Sequence, residues 1–243
     1  MAIAFDTAVD GGNNTGTSLT WSHTCTGSLG LLIVGFAGDN IGGADDITSV
    51  TYNSVAMTLA DKQVNPSSGG DRNTYLYFLL GPATGAHNVV ISCSGSHLLQ
   101  GGSASYTGVK ASGQPDAHTV NAETSSSLKT LTTSVTTVAD NCWTVLVENC
   151  YDGGTPPVAG AGSTRRTFDA TNGGWGIFDS NAVVHPAGSK SMTTTRASDP
   201  FGLEILHVMA SFQPDTGAGA TVTYPQLERG TRGLNRGICL GAY

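Results

Sequence analysis

The chain has 243 residues, 12% of them Asp, Glu, Lys or Arg, and a formal net charge of −7. Charge at about half the usual ~25%, with four lysines and seven arginines in no dense block, argues against nucleic acid, whose affinity comes from basic residues neutralising phosphates. The longest apolar stretch, Leu29 to Ala37, is interrupted by Gly30 and Gly35 and falls well short of the ~18–20 residues of a membrane span.

The opening residues Met1-Ala-Ile-Ala-Phe-Asp-Thr do not read as an export signal, because the apolar run ends at Asp6 with no basic residue before it. Beyond them almost nothing reads as helix. Apolar residues recur at a spacing of two or run on for four to eight positions, and Gly, Asn, Asp and Pro clusters separate the runs. The pattern predicts strands over 18–25, 31–37, 47–52, 55–62, 73–80, 87–93 and 98–108. Val55, Met57 and Leu59 alternate, giving that strand one buried face, and Asn53-Ser54 before it makes a tight turn, since Asn tolerates positive φ.

The second half repeats the plan. A Thr-rich strand over 127–138 matches the first one, and 142–149, with Trp143, Val145 and Val147 alternating, matches 31–37. Strands over 163–169, 175–184, 190–196 and 203–212 follow, and Ser105-Tyr106 has its counterpart in Ser211-Phe212. The expected fold is all-β: an antiparallel, jelly-roll-like β-sandwich over 1–213 with internal duplication, its halves at about 15–109 and 127–213, since all-β domains of ~200–250 residues are common. Residues 110–116 hold Gly and Pro; they join the halves of one sandwich, the favoured reading, or link two domains. Residues 214–243 form an extension with a short strand at 220–224 and Arg229, Arg232 and Arg236 set among glycines. Such a tail is either solvated or an arm that grips carboxylates of a neighbour through bidentate Arg forks.

Five cysteines leave at least one unpaired. On one extended strand Cys142 and Cys150 lie ~26 Å apart at ~3.3 Å per residue, beyond the ~7 Å limit of a disulfide. Cys25 and Cys93 close similar strands, and buried free thiols are the favoured reading, since Cys is among the most buried residue types. Cys239 is the candidate for an intermolecular contact.

Reactive chemistry finds little support. The Gly-x-Ser-x-Gly elbow of a serine hydrolase is absent, and the six histidines are scattered singly, without the close spacing of zinc ligands. His207 alternates with Ile205 and Met209 and reads as a satisfied core histidine. Glu148 and Glu204 read as lone carboxylates on solvent faces of strands, on the faces opposite those of His207 and Trp143. Asp39, Asn40, Asp45 and Asp46 bracket a Gly-rich loop and offer oxygen donors to a structural Ca²⁺, although an ordinary polar turn is the favoured reading. No other cofactor is implied. Trp175, after Asn172-Gly-Gly, is the most credible exposed ring, and with Tyr151 it would serve a carbohydrate-binding, lectin-like module.

The strings Ser-Val-Thr-Tyr-Asn-Ser-Val-Ala-Met-Thr (49–58), Leu-Leu-Gly-Pro-Ala-Thr-Gly-Ala-His-Asn-Val-Val (79–90) and Ser-Tyr-Thr-Gly-Val (105–109) resemble a family of largely uncharacterised β-sandwich proteins of tailed phages, prophages and environmental sequences. The resemblance spans residues 1–213 and rests on strand-and-turn patterns. It implies a virion structural protein, foremost a capsid decoration or cement protein on the head exterior, or else a head fibre or tail accessory. Its partners would be the major capsid protein or another virion protein, together with copies of itself. The resemblance carries over no catalytic residue. Assembly contacts are expected from Ala2, Ile3 and Phe5 and from Arg229, Arg232, Arg236 and Cys239, because both termini lie outside the repeated strands.

Overall fold

The computed structural model describes residues 1–39, 46–65, 72–123, 130–150, 156–169, 174–196 and 204–217. Among the described residues every regular element is a strand, and the pairing is antiparallel throughout. The first half contributes β1 (Ala4–Cys25), β2 (Leu31–Asp39), β3 (Ile47–Tyr52), β4 (Val55–Ala56), β5 (Thr58–Gln63), β6 (Arg72–Leu80) and β7 (Gly85–Thr107). β1 and β7 pair from Ala4 opposite Thr107 to Cys25 opposite Gly85, with register shifts between Phe5 and Ala8, Asp10 and Asn13, and Gly16 and Ser18. These bulges let the long ribbon bend. Its outer part, with β3, then covers one face of the sheet that its inner part forms with β2, β6 and β5. Leu19, Trp21, Val50, Tyr52, Val89 and Ile91 from above meet Leu32, Val34, Phe36 and Tyr75 from below.

The second half contributes β8 (Ala117–Glu123), β9 (Thr130–Thr136), β10 (Trp143–Cys150), β11 (Val158–Ala159), β12 (Thr164–Phe168), β13 (Trp175–Asp179), β14 (Ser189–Thr195) and β15 (Ile205–Phe212). Its sheets, β12-β13-β10-β15-β8 and β11-β14-β9, repeat the pairing of the first half. β8 and β9 stand where the two parts of β1 stand, and β15 and β14 where the two parts of β7 stand. The expected duplication is therefore present in the hydrogen-bonding itself. Leu31 faces Tyr106 and Trp143 faces Phe212, which aligns β2 with β10, Phe36 with Glu148, and Gly101 with His207.

The two five-stranded sheets stack face to face. Ile33, Leu76, Ala104 and Tyr106 of one pack with Val145, Val147, Ile177, Val208 and Phe212 of the other. β5 lies against β8, and β1 against β12; because β8 is the counterpart of β1 and β12 that of β5, the halves meet reciprocally, as the subunits of an isologous dimer do. Both five-stranded sheets are covered on both faces, so every residue of β10 and β15 is buried, including the polar Glu148, Asn149, His207 and Ser211.

Several strand limits differ from the sequence pattern. β7 is one strand where two were expected. The 55–62 strand divides at Met57, which is buried while Val55 points out; the turn before it is as expected, with Asn53 and Ser54 at φ 49° and 62°, the twist that suits a tight hairpin. β13 ends at Asp179, where Asn181 takes φ 45°. The polar edge strand β8 had no apolar alternation to announce it. The segment 2–6 was expected outside the repeat, yet it opens β1 and pairs with the end of β7. Ile3 is 5% exposed and belongs to the core between the sheets.

Candidate functional site

The strongest concentration of buried ionisable groups lies inside the second half. β10 places Leu146, Glu148 and Cys150 on the face that looks toward the β11-β14-β9 sheet, and that sheet closes over them. Glu148 is 0% exposed and Arg196, just beyond β14, is 2% exposed; Arg196 Nε donates to Glu148 Oε1 at 2.7 Å. His207 sits directly opposite Glu148 in the β10–β15 pair, with Nε2 4.0 Å from Oε2. Its ring nitrogens meet Thr133 Oγ1 at 2.9 Å and Thr194 Oγ1 at 2.8 Å. Burial pushes His207 down to about 4, against the attraction of Glu148, so the imidazole is neutral at physiological pH.

Glu148 therefore departs from the expectation of a solvent-facing carboxylate. Within β10 it points away from the Trp143 face, as alternation indicated. It shares a face with His207 across the β10–β15 pair, because residues directly across an antiparallel pair point the same way. His207 is the satisfied core histidine that its alternation indicated. The ion pair is buried, and it ties the end of β14 to β10 and β15.

The first half holds a second polar line. Trp21 Nε1 donates to Ser103 Oγ at 2.8 Å, and Ser103 Oγ lies 2.8 Å from His23 Nδ1. With the indole proton on its oxygen, the serine hydroxyl donates to Nδ1 and leaves the imidazole proton on Nε2. Nearby, Asp6 accepts from the Thr26 amide at 2.9 Å, from Ser105 Oγ at 2.8 Å and from the Thr26 hydroxyl. Partial burial raises the Asp6 pKa, but these hydrogen bonds outweigh it and hold the carboxyl below its ordinary value. Burial drives His23 down to about 4, opposed by Asp6. A Ser, a His and an Asp are thus neighbours, but wired unlike a hydrolase triad, in which Nε2 takes the serine proton and the acid binds Nδ1–H. Here serine occupies Nδ1, and Ser103 and His23 are both buried.

The residues singled out from sequence scatter. Asn40, Asp45, Tyr151, Arg229, Arg232, Arg236 and Cys239 lie outside the described residues, as does the side chain of Asp39. Asp46 accepts from Ser94 Oγ at 3.1 Å and stands 3.2 Å from His97 Nε2. Among the described residues no three His, Cys, Asp or Glu gather as a metal site. Trp175 is 0% exposed, which overturns its reading as an exposed platform. It opens a central strand covered on both faces, and its ring lies so close over Gly102 that a Cβ there would stand 2.3 Å from Cη2, so it offers no face to a sugar. Of the N-terminal contacts, Ala2 is exposed and Ile3 is buried. Phe5 is partly covered by the Arg166 guanidinium, 4.2 Å over its ring, and by Tyr106. Cys25, Cys93, Cys142 and Cys150 are buried free thiols.

What residue-by-residue reading missed is a pair of surfaces. Along β9, Leu131, Thr133 and Val135 point in, while Thr130, Thr132, Ser134 and Thr136 point out. They face Thr195, Thr193, Ser191 and Ser189 of β14, and hydroxyls join across the pair at 3.3, 2.8 and 2.8 Å for the first three ranks. Val158 of β11, 49% exposed, extends this face beside Thr195. The matching sheet of the first half turns out Ser18, Thr20, Ser22 and Thr24 from β1, and Ser92, Asn88 and Ser49 beside them. Neither set contains a charged side chain. The strict Thr/Ser alternation of 130–136 and 18–24 was the signal that would have revealed them.

No protein-family model and no curated protein matches the chain.

Proposed function

We propose that the chain is a structural protein of a larger assembly, a bacteriophage virion protein that decorates or cements the exterior of the capsid. The observation that carries this reading is the uncharged, hydroxyl-lined pleated face on each outer layer of the four-layer stack. Exposed sheet faces and edges of free-standing proteins are commonly guarded by Lys and Glu. Burying such ions against a neighbour costs several kcal/mol each unless they are well paired, whereas a hydroxyl already bonded across its strand pair loses little. Two such faces on opposite sides let one molecule bridge two neighbours, and copies arranged about a symmetry axis would repeat the contact. The action is mechanical: a rigid sandwich at a junction between subunits adds buried interface that resists outward pressure. The resemblance of strings 49–58, 79–90 and 105–109 to phage-associated sandwiches points the same way.

Cryo-electron microscopy of particles released by the producing cells tests this reading. Regularly spaced density for a four-layer β stack on the particle exterior is expected, and Thr132→Lys with Ser191→Lys should strip it away while changing stability by about 1 kcal/mol in total, roughly 0.5 for each surface substitution. Particles lacking the chain, with all of it recovered as free monomer, would refute the proposal.

A further inference from the structure

The inter-sheet core changes character at the end where β2 and β10 finish. At Gly35 the sheets touch closely, since a Cβ there would lie 2.6 Å from Val147 Cγ2. One rank further on, ~6.8 Å along the strands, stand Gln100, Ala37 and Thr74 on one sheet and Trp175, Asn149 and Leu206 on the other. Apart from Ala37 and Leu206, every one of these carries a hydrogen-bonding group. Gln100 Nε2 reaches Asp169 Oδ2 at 3.4 Å. Thr74, Asn149 and Trp175 are each 0% exposed, and Thr74 Oγ1, both amide atoms of Asn149 and the Trp175 indole N–H have no protein partner.

Unsatisfied buried polar groups number only a few per hundred residues in native proteins, so four such atoms on three side chains of one rank mark a built site. Their chemistry is mixed. The indole and the amide nitrogen donate, the amide oxygen accepts, and the hydroxyl does both. No formal charge sits on these three side chains, which disfavours an ion, and full burial disfavours any sizeable ligand. A molecule that both donates and accepts, and is small enough to be fully enclosed, fits the set.

We infer that Thr74, Asn149 and Trp175 bind a cluster of one or two internal water molecules, held between the two five-stranded sheets as a permanent part of the fold. A buried water makes about three hydrogen bonds to groups that would otherwise go unsatisfied, and two molecules serve all four orphans. The duplication explains the location. Asn149 and Trp175 are the counterparts of Ala37 and Thr74, so at this rank the second sheet carries two large polar residues where the first carries two small ones, and solvent serves the added polar groups. The cluster anchors the sheets at the end opposite the Val109–Pro214 bridge.

Oxygen-17 magnetic relaxation dispersion, which counts waters that stay bound longer than the protein tumbles, tests this on the full chain. Asn149→Leu should lower the dispersion amplitude by the equivalent of one or two waters and lower Tm. Thr74→Val, nearly isosteric, serves as the second variant if Asn149→Leu does not fold, and should also reduce the amplitude. An amplitude unchanged in either folded variant overturns the inference. So does a rise in Tm for Thr74→Val, because relieving a dry orphan stabilises the fold whereas removing a water's partner does not.

Discussion

The two halves of the chain share one pattern of strand pairing and fill it with opposite chemistry. Between the layers of the first half, Phe36 stacks on Tyr75 at 4.7 Å with planes 10° apart, and Tyr77 follows at 5.8 Å. At the matching place in the second half stands Glu148, and Gly101 opposite Phe36 becomes His207 opposite Glu148. The aromatic interior is held by area and shape, which degrade gradually. The ionic interior is held by complementarity, which fails when one member is lost. A shared backbone topology therefore does not imply a shared sensitivity to mutation, and the halves can be told apart by how they break.

The largest expected effect comes from removing one ion. Arg196→Met leaves a buried carboxylate without its guanidinium, and a loss of about 3–5 kcal/mol is expected, read from urea unfolding. Adding Glu148→Leu to that variant should recover most of the loss, since apolar replacement of a whole buried pair is often neutral or better. A single variant that costs under ~1 kcal/mol would mean that the second half does not depend on its charges, and the contrast would collapse.

Acid should strike both halves through their buried imidazoles. His23 and His207 are each held down to about 4 in the folded chain, below the ordinary value near 6.5. The unfolded chain then takes up protons first as pH falls. Their contribution is fully present above pH ~6.5 and is lost as pH drops toward 4, at ~1.4 kcal/mol per unit for each histidine, or about 3 kcal/mol apiece. His23→Gln and His207→Gln should each flatten stability over pH 4–6.5 by similar amounts. If one variant removes the whole slope, the two halves do not share this liability.

The fold was largely legible because strand geometry writes itself into side-chain order. The segments 31–37 and 142–149 marked matching strands of the two halves, and Asn53-Ser54 marked its turn. The parts that were not legible had weak apolar signals: β8 is an edge strand of mostly polar residues, and the front of β1 is rich in Gly and Asn. Burial of Glu148 was hidden for a different reason. Alternation tells which residues share a face and is silent on what covers that face, and β14 and β9, which supply the cover, lie elsewhere in the sequence. Trp175 was misjudged on the same account: a strand starting at 175 was expected and is present, but the layers that cover its ring lie elsewhere in the sequence.

The smallest effect should come from the seam where the halves meet. Gly35 and Val147 occupy equivalent positions in their sheets, yet one has no side chain and the other fills the space that both would need. A Cβ on residue 35 would stand 2.6 and 2.9 Å from the methyls of Val147 and 3.1 Å from Ile177 Cγ1. Gly35→Ala should therefore cost about 1–3 kcal/mol through overpacking. Val147→Ala opens the same space from the other side, so the double variant should be more stable than the two single effects predict when added. Residues in contact commonly couple by ~0.5–3 kcal/mol, and a double-mutant cycle in urea measures the term directly. Additivity within ~0.5 kcal/mol would separate the two positions and remove the seam as the place where the duplicated halves fit together by unequal side chains.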